Sequence, residues 1–209
     1  DRVEIFPGVD YAAFLVPGLA MMSVLQNAFA NGSSSLMQSK MTGSIIFVLL
    51  PPLSYQEFFA AYLLAAAARG LVVGAGVFLT TVWFVDLRFE HPLWALAFAA
   101  ASSGVLGVLG IIAGIYSDKV DELSAFQNFI ILPLTFLSGV FYSIHSLPPL
   151  WQWLSHLNPV FYMVDGFRYG FFGVSDISPW LSLAFVGSSF LVLSFFTLWL
   201  LRTGYKLRH

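Results

Sequence analysis

The sequence predicts an all-α fold, a polytopic bundle of membrane-crossing helices, and three observations predict it. Hydrophobic residues make up 58% of the 209 positions and charged residues only 10%, where soluble domains carry about a quarter of their residues as charges. The apolar residues fall in long runs, five of them near or above the roughly 20 residues that a helix needs to cross hydrocarbon. The strip between the fourth and fifth runs is rich in Pro and Trp, nearly uncharged and too broken to cross. The bilayer is the solvent for this chain, and residues 1–209 read as one membrane domain.

The five predicted spans are Tyr11 to Ala30, Phe58 to Val85, Pro92 to Tyr116, Leu123 to Tyr142 and Trp180 to Leu201. Between the first two, the apolar stretch Ile45 to Leu50 is too short to span and is stopped by Pro51 and Pro52, so this segment is expected at the membrane surface. Ser54 and Glu57 have capping-box spacing at the start of the second span. Ser178 before Pro179 resembles an N-cap followed by proline at the first helical position. Arg202, Gly204, Lys206 and Arg208 close the last span with a C-terminal glycine and cations that suit the helix dipole.

Orientation follows from the cations, because cytoplasmic loops retain Lys and Arg. An outside start places Lys40, Lys119, Arg202, Lys206 and Arg208 inside, against Arg2, Arg88 and Arg168 outside. The C-terminus is therefore expected in the cytoplasm. DRVEIFPG has no initiator Met and no signal-peptide pattern. Five spans with an outside start become six with an inside start if one N-terminal helix is missing, and that is the expectation.

Composition narrows the chemistry. A net charge of −2 with dispersed cations excludes a nucleic-acid partner. Without cysteine the chain has no disulfides, thiolate metal sites or Cys nucleophiles. His91, His145 and His156 lack ligand spacing, so no metal site is expected. Asp118, Lys119, Asp121 and Glu122 read as a solvated turn capping the fourth span, because no His or third acid accompanies them for acid-base work. No catalytic residue is expected. No G-x-x-x-x-G-K-[ST] occurs, so the chain cannot be its own P-loop ATPase.

Four features remain as candidate sites. Gly104, Gly107, Gly110 and Gly114 have the spacing that lets two helices approach closely, within the chain or between subunits. Arg69 lies about 20 Å beyond Ser54 along a helix, deep in the hydrocarbon. It either contacts an anionic substrate or serves as a structural tie to polar groups such as Gln26, Asn27 and Asn31, and Arg69 and Asn27 are the substrate-path candidates. Trp151, Trp153, Asn158 and Pro159 belong to a re-entrant helical hairpin in the outer leaflet, and this is either a surface anchor or a gate over the outer exit. Asp165 and Arg168 are the gate's polar members, with the spacing to pair on one helix face.

Three blocks carry a family resemblance: FLVPGLAMMSVLQNAFAN (Phe14 to Asn31), LLPPLSYQEFFAAYLLAAAARGL (Leu49 to Leu71) and FLSGVFYSIHSLPPLWQWLSHLNPVFYMVDGFRYG (Phe136 to Gly170). The chain resembles the permease subunits of ABC-2 type exporters, the group with bacterial polysaccharide, lipo-oligosaccharide and drug exporters. The resemblance implies a six-span permease lacking its first helix here, working as a pair in the inner membrane, each copy on a separate cytoplasmic ATPase that holds ATP and Mg. It also implies a cytoplasmic interface helix over Ser33 to Leu53, with Lys40, Met41, Thr42 and Gly43 facing the ATPase. Many relatives carry an acid just before the apolar part of that helix, whereas this chain reads TGSIIFVLLPPLS. The expected cargo is a glycan, lipo-oligosaccharide or amphipathic compound, with the lid governing release. An ion-coupled secondary transporter would need intramembrane carboxylates, which no span carries. A lipid-modifying enzyme would rest on Asp165, Arg168 and His156 alone.

Overall fold

The computed structural model describes residues 11–44, 54–85, 87, 89–144 and 147–204. The expectations for Asp1, Arg2, Ile45 to Leu53, Arg88, His145, Lys206 and Arg208 lie outside these residues. Among those described, all regular structure is helical. The helices are α1 (Tyr11–Met41), α2 (Tyr55–Thr81), α3 (Pro92–Tyr116), α4 (Val120–Phe126), α5 (Leu132–Phe136), α6 (Pro149–His156), α7 (Pro159–Phe172) and α8 (Pro179–Thr203). A 3-10 turn, Val82–Phe84, extends α2, and a π-helical segment, Gln127–Ile131, joins α4 to α5. Among the described residues four helices are long and apolar enough to cross a membrane: α1, α2 with its 3-10 turn, α3 and α8.

Capping sets several boundaries. Ser54 accepts from the Glu57 amide while the Glu57 carboxylate accepts from the Ser54 amide at 2.8 Å, a complete capping box opening α2. Asn158 caps α7 by accepting from Val160 N, with Pro159 at the first helical position. Gly204, at φ 68°, closes α8 in the left-handed conformation that glycine adopts without a Cβ penalty. Ser178 stands before Pro179 at the start of α8 but makes no side-chain cap.

Two predicted elements differ. The first helix runs on through Asn31–Gly32–Ser33 to Met41 instead of ending at Ala30. Its serines hydrogen-bond back into the helix, Ser33 to Phe29 O at 2.8 Å and Ser39 to Ser35 O at 2.9 Å, and the buried Leu36 and Met37 pull the extension into the bundle. Ser33 to Met41 is therefore the last part of α1 and not the start of a separate surface helix. The fourth predicted span is a composite helix from Val120 to Phe136, about 25 Å long. It stops short of Tyr142 because Ser138 Oγ donates to Thr135 O at 2.6 Å and Gly139 turns the chain at φ 78°.

The bundle core lies between α1 and α3. A Cβ on Gly32 would stand 2.6 Å from Gly107 O, and one on Gly110 would sit on the Phe29 carbonyl. Backbone therefore meets backbone at this crossing, the closest approach that dispersion between helices allows in lipid. Gly70 and Gly74 seat α2 on α1 at Val24 and Ala28 in the same way. α1 and α3 are mostly buried, whereas α2 and α8 leave most of their apolar surface outward. At one end of the bundle the starts of α1 and α3 and the turn into α8 meet α7, on which α6 also rests. At the other, the ends of α1, α3 and α8 meet the starts of α2 and α4.

Candidate functional site

Polar side chains recur along one side of α1 at helical spacing: Ser23, Gln26, Asn27, Asn31, Ser34 and Gln38. None of them is buried, and Ser34 and Gln38 are exposed. Gln26 donates to Thr135 Oγ1 of α5 at 3.2 Å, and Asn27 donates to Ser23 O at 3.0 Å. Arg69, exposed and about 21 Å along α2 from Tyr55, donates through Nη1 to Asn31 Oδ1 at 3.1 Å. The face thus has α2 with Arg69 on one flank and α5 with Thr135 on the other. A primary amide facing hydrocarbon costs roughly 4 kcal/mol or more. This face is built for water, cargo or another polar surface.

The end of α1 carries the four residues assigned to ATPase contact. Lys40 turns inward: Nζ donates to the carbonyls of Gly114 at 3.3 Å, Ile115 at 3.1 Å and Ser117 at 2.7 Å, and lies 3.6 Å from Asp118 Oδ1. It caps the carboxyl end of α3 from a neighbouring helix and favours its dipole. Met41 is 65% exposed, Thr42 is exposed with its hydroxyl on Gln38 O, and Gly43 turns the chain at φ 69°.

The end of the bundle around α7 carries two buried ionisable side chains, Asp165 and Arg168. The two have the spacing to pair with each other, yet the hydrogen bonds of each go to loop backbone. Asp165 accepts from Asp176 N at 2.8 Å and Ile177 N at 3.2 Å, and so holds the turn leading into α8. Asp176 in turn accepts from Ser143 Oγ at 2.7 Å and Ile144 N at 3.2 Å. Arg168 donates to Gly139 O at 3.0 Å and lies over the ring of Phe14 on α1. Loop carbonyls and amides need charged partners where α7 is buried, which outcompetes a pairing along the helix. α7 is too short to span a membrane; burial pushes the Asp165 carboxyl up to about 6, against the two amides that pull it down.

Trp151 and Trp153 stand on α6 and are half-exposed or more. Leu134, Leu137, Tyr142, Leu147, Pro148 and Trp151 line an apolar hollow beneath α6. Asn158 also donates to Leu134 O at 2.7 Å, tying the start of α7 to α5. Gly104 faces Phe190 of α8, Gly107 faces Leu63 and Ala66 of α2, and Gly110 and Gly114 face α1. His91 and His156 lie apart, stacked on Tyr169 and edge-on to Phe161. Phe14, Gly18 and Asp176 are contacts of Arg168 and Asp165 that sequence reasoning missed. A Cβ on Gly18 would meet Val140 O at 3.0 Å and Arg168 Nη2 at 3.1 Å. The polar spacing from Ser23 to Gln38 was the signal available for the full α1 face.

Comparison with known proteins places these features in a family. The model of the ABC-2 type transporter family matches residues 4–172. The inner membrane transport permease YadH of Escherichia coli (strain K12) is 38% identical over 177 residues, covering 85% of this chain and 69% of YadH. Nodulation protein J of Sinorhizobium fredii (strain NBRC 101917 / NGR234) is 26% identical over 164 residues, covering 77% of this chain and 62% of that protein. Nodulation protein J of Neorhizobium galegae is 23% identical over 174 residues, covering 82% and 66%. The chain belongs to the ABC-2 type transporter family.

Proposed function

We propose that this chain is the permease subunit of an ATP-driven exporter of the bacterial inner membrane, and that it moves a glycan, lipo-oligosaccharide or amphipathic compound outward. The observation that carries this reading is the uncovered polar face of α1. Hydrogen-bonding groups from Ser23 to Gln38 extend over about 22 Å of a spanning helix, and a second copy facing the first would enclose them as a path. Membership of the family and the likeness to a named inner membrane transport permease support the transport role. The energy comes from a separate ATPase subunit with ATP and Mg, since the chain has no P-loop. The C-terminus lies in the cytoplasm, as the cation bias argues.

The mechanism is alternating access. Met41, Thr42 and Gly43 meet the ATPase, while Lys40 fastens α1 to α3 so that the two helices move together. α1 is one continuous helix from that end to Phe14 and Gly18, where Arg168 links it to α7. A displacement at Met41 therefore reaches Gly18, where Val140 and Arg168 lie against α1, along a stretch of helix that contains no proline, and Trp151, Trp153, Asn158, Pro159 and Asp165 move with it. Reconstitution with the cognate ATPase tests the reading. ATP-dependent accumulation of cargo, lost on replacement of Thr42 and Gly43 with bulky residues, is expected. Accumulation that continues without the ATPase contradicts it.

A further inference from the structure

We infer that the path along α1 is selective for anionic groups, with Arg69 as the residue that engages the acid of the cargo. This inference rests on the proposal that the α1 face lines the path. Arg69 stands far from either end of α2 and is exposed. Of its five N–H donors, one reaches Asn31, and no other hydrogen bond from it is formed among the described residues. Among the described residues no carboxylate forms an ion pair with it: the acids of α2 reduce to Glu57 in the first turn, and α1 has none.

An unneutralised guanidinium at this depth is tolerated only beside water or a counter-charge. Asn31 holds it toward the polar face of α1, leaving its planar fork of donors to a phosphate, sulfate or carboxylate. The flanking groups Ser23, Gln26, Asn27, Ser34 and Gln38 are neutral donors and acceptors suited to hydroxyl-rich or amide-bearing cargo. The cargo class this face fits is an amphiphile or glycan bearing at least one acidic group.

Because the chain contains no cysteine, single thiols report the local potential cleanly. Ser34→Cys, one turn from Asn31 on the same face, would be placed in the full chain, purified with its ATPase. Its modification would be timed with the anionic sulfonatoethyl and the cationic trimethylammonioethyl methanethiosulfonates, with and without Arg69→Gln. Arg69→Gln should lower the anionic-to-cationic rate ratio by about threefold to fiftyfold, the span for one charge a side-chain layer away as the dielectric falls from water-like to protein-like. Dodecyl phosphate should slow modification only when Arg69 is present, and dodecyl maltoside should not distinguish the two. A ratio unchanged by Arg69→Gln, or equal protection by both amphiphiles, overturns the inference while leaving the path intact. Silence of Ser34→Cys toward both reagents overturns the path reading, and this inference with it.

Discussion

The guanidinium carbon of Arg168 lies 3.7 Å from the centroid of the Phe14 ring, with Nη2 donating to Gly139 O at 3.0 Å. This joins α7 to α1 through a desolvated cation on an aromatic face. Arg168→Gln should remove the cation–π contact and the charge-assisted hydrogen bond together, lowering stability by about 3 kcal/mol. Thermal unfolding in detergent reads this. Arg168→Lys should recover less than half, because an ammonium lacks the planar stacking surface. Full recovery by Lys would show that charge alone matters.

Asp165 gives the packing of α7 a pH dependence. Its carboxyl titrates near 6 in the folded protein, against 3.8 ordinarily. Between these values the folded chain holds a proton that the unfolded chain has released, so the stabilisation from this group is full below about pH 4 and is lost as pH rises through 6. The unfolding free energy of the wild type relative to Asp165→Asn, taken from melting curves, should therefore rise as pH falls from 7.5 to 4.5, by about 2 kcal/mol. A constant difference across that range would contradict the burial argument.

The glycines of the α1–α3 crossing should separate sharply from glycines elsewhere. Gly110→Val puts a branched side chain onto the Phe29 carbonyl and should destabilise by about 3 kcal/mol. Gly187→Ala on α8 meets nothing within 4 Å and should be neutral or stabilising by up to about 1 kcal/mol through helix propensity. Paired melting curves decide this.

These predictions divide along what could be read from sequence. Length and hydropathy placed the long helices, since an apolar run near 20 residues has few alternatives in lipid, and the Ser54–Glu57 box appeared as its spacing implied. The boundary at Ala30 misread α1, because Asn31–Gly32–Ser33 looks like a helix stop in water. Here Gly32 packs against Gly107 and the serines bond back to the helix. The partners of Asp165 and Arg168 were not legible, because a three-residue spacing on a helix says nothing of the loop carbonyls and amides folded against it. The tie from Lys40 to α3 was not legible either, because the carbonyls of Gly114, Ile115 and Ser117 that it meets lie more than 70 residues away in the chain.

Lys40→Met should free the end of α1 from α3. The carbonyls of Gly114, Ile115 and Ser117 lose a charged donor, for a stability loss of about 2 kcal/mol. Spin labels on Met41→Cys and Tyr116→Cys should then report a broader distance distribution than in the Lys40 background. An unchanged distribution would mean that other contacts fasten this end.

The central claim is that α1 presents a hydrated polar face to the transport path, and a cysteine scan from Ser23 to Gln38 in the complex with the ATPase tests it most directly. With a charged, membrane-impermeant thiol reagent, labelling should peak at Ser23, Asn27, Ser34 and Gln38 and be absent at Leu25, Ala28, Leu36 and the lipid-facing Val192, and addition of ATP should change the rates at the peaks. Uniform protection along α1, or labelling with no helical period, would contradict the account.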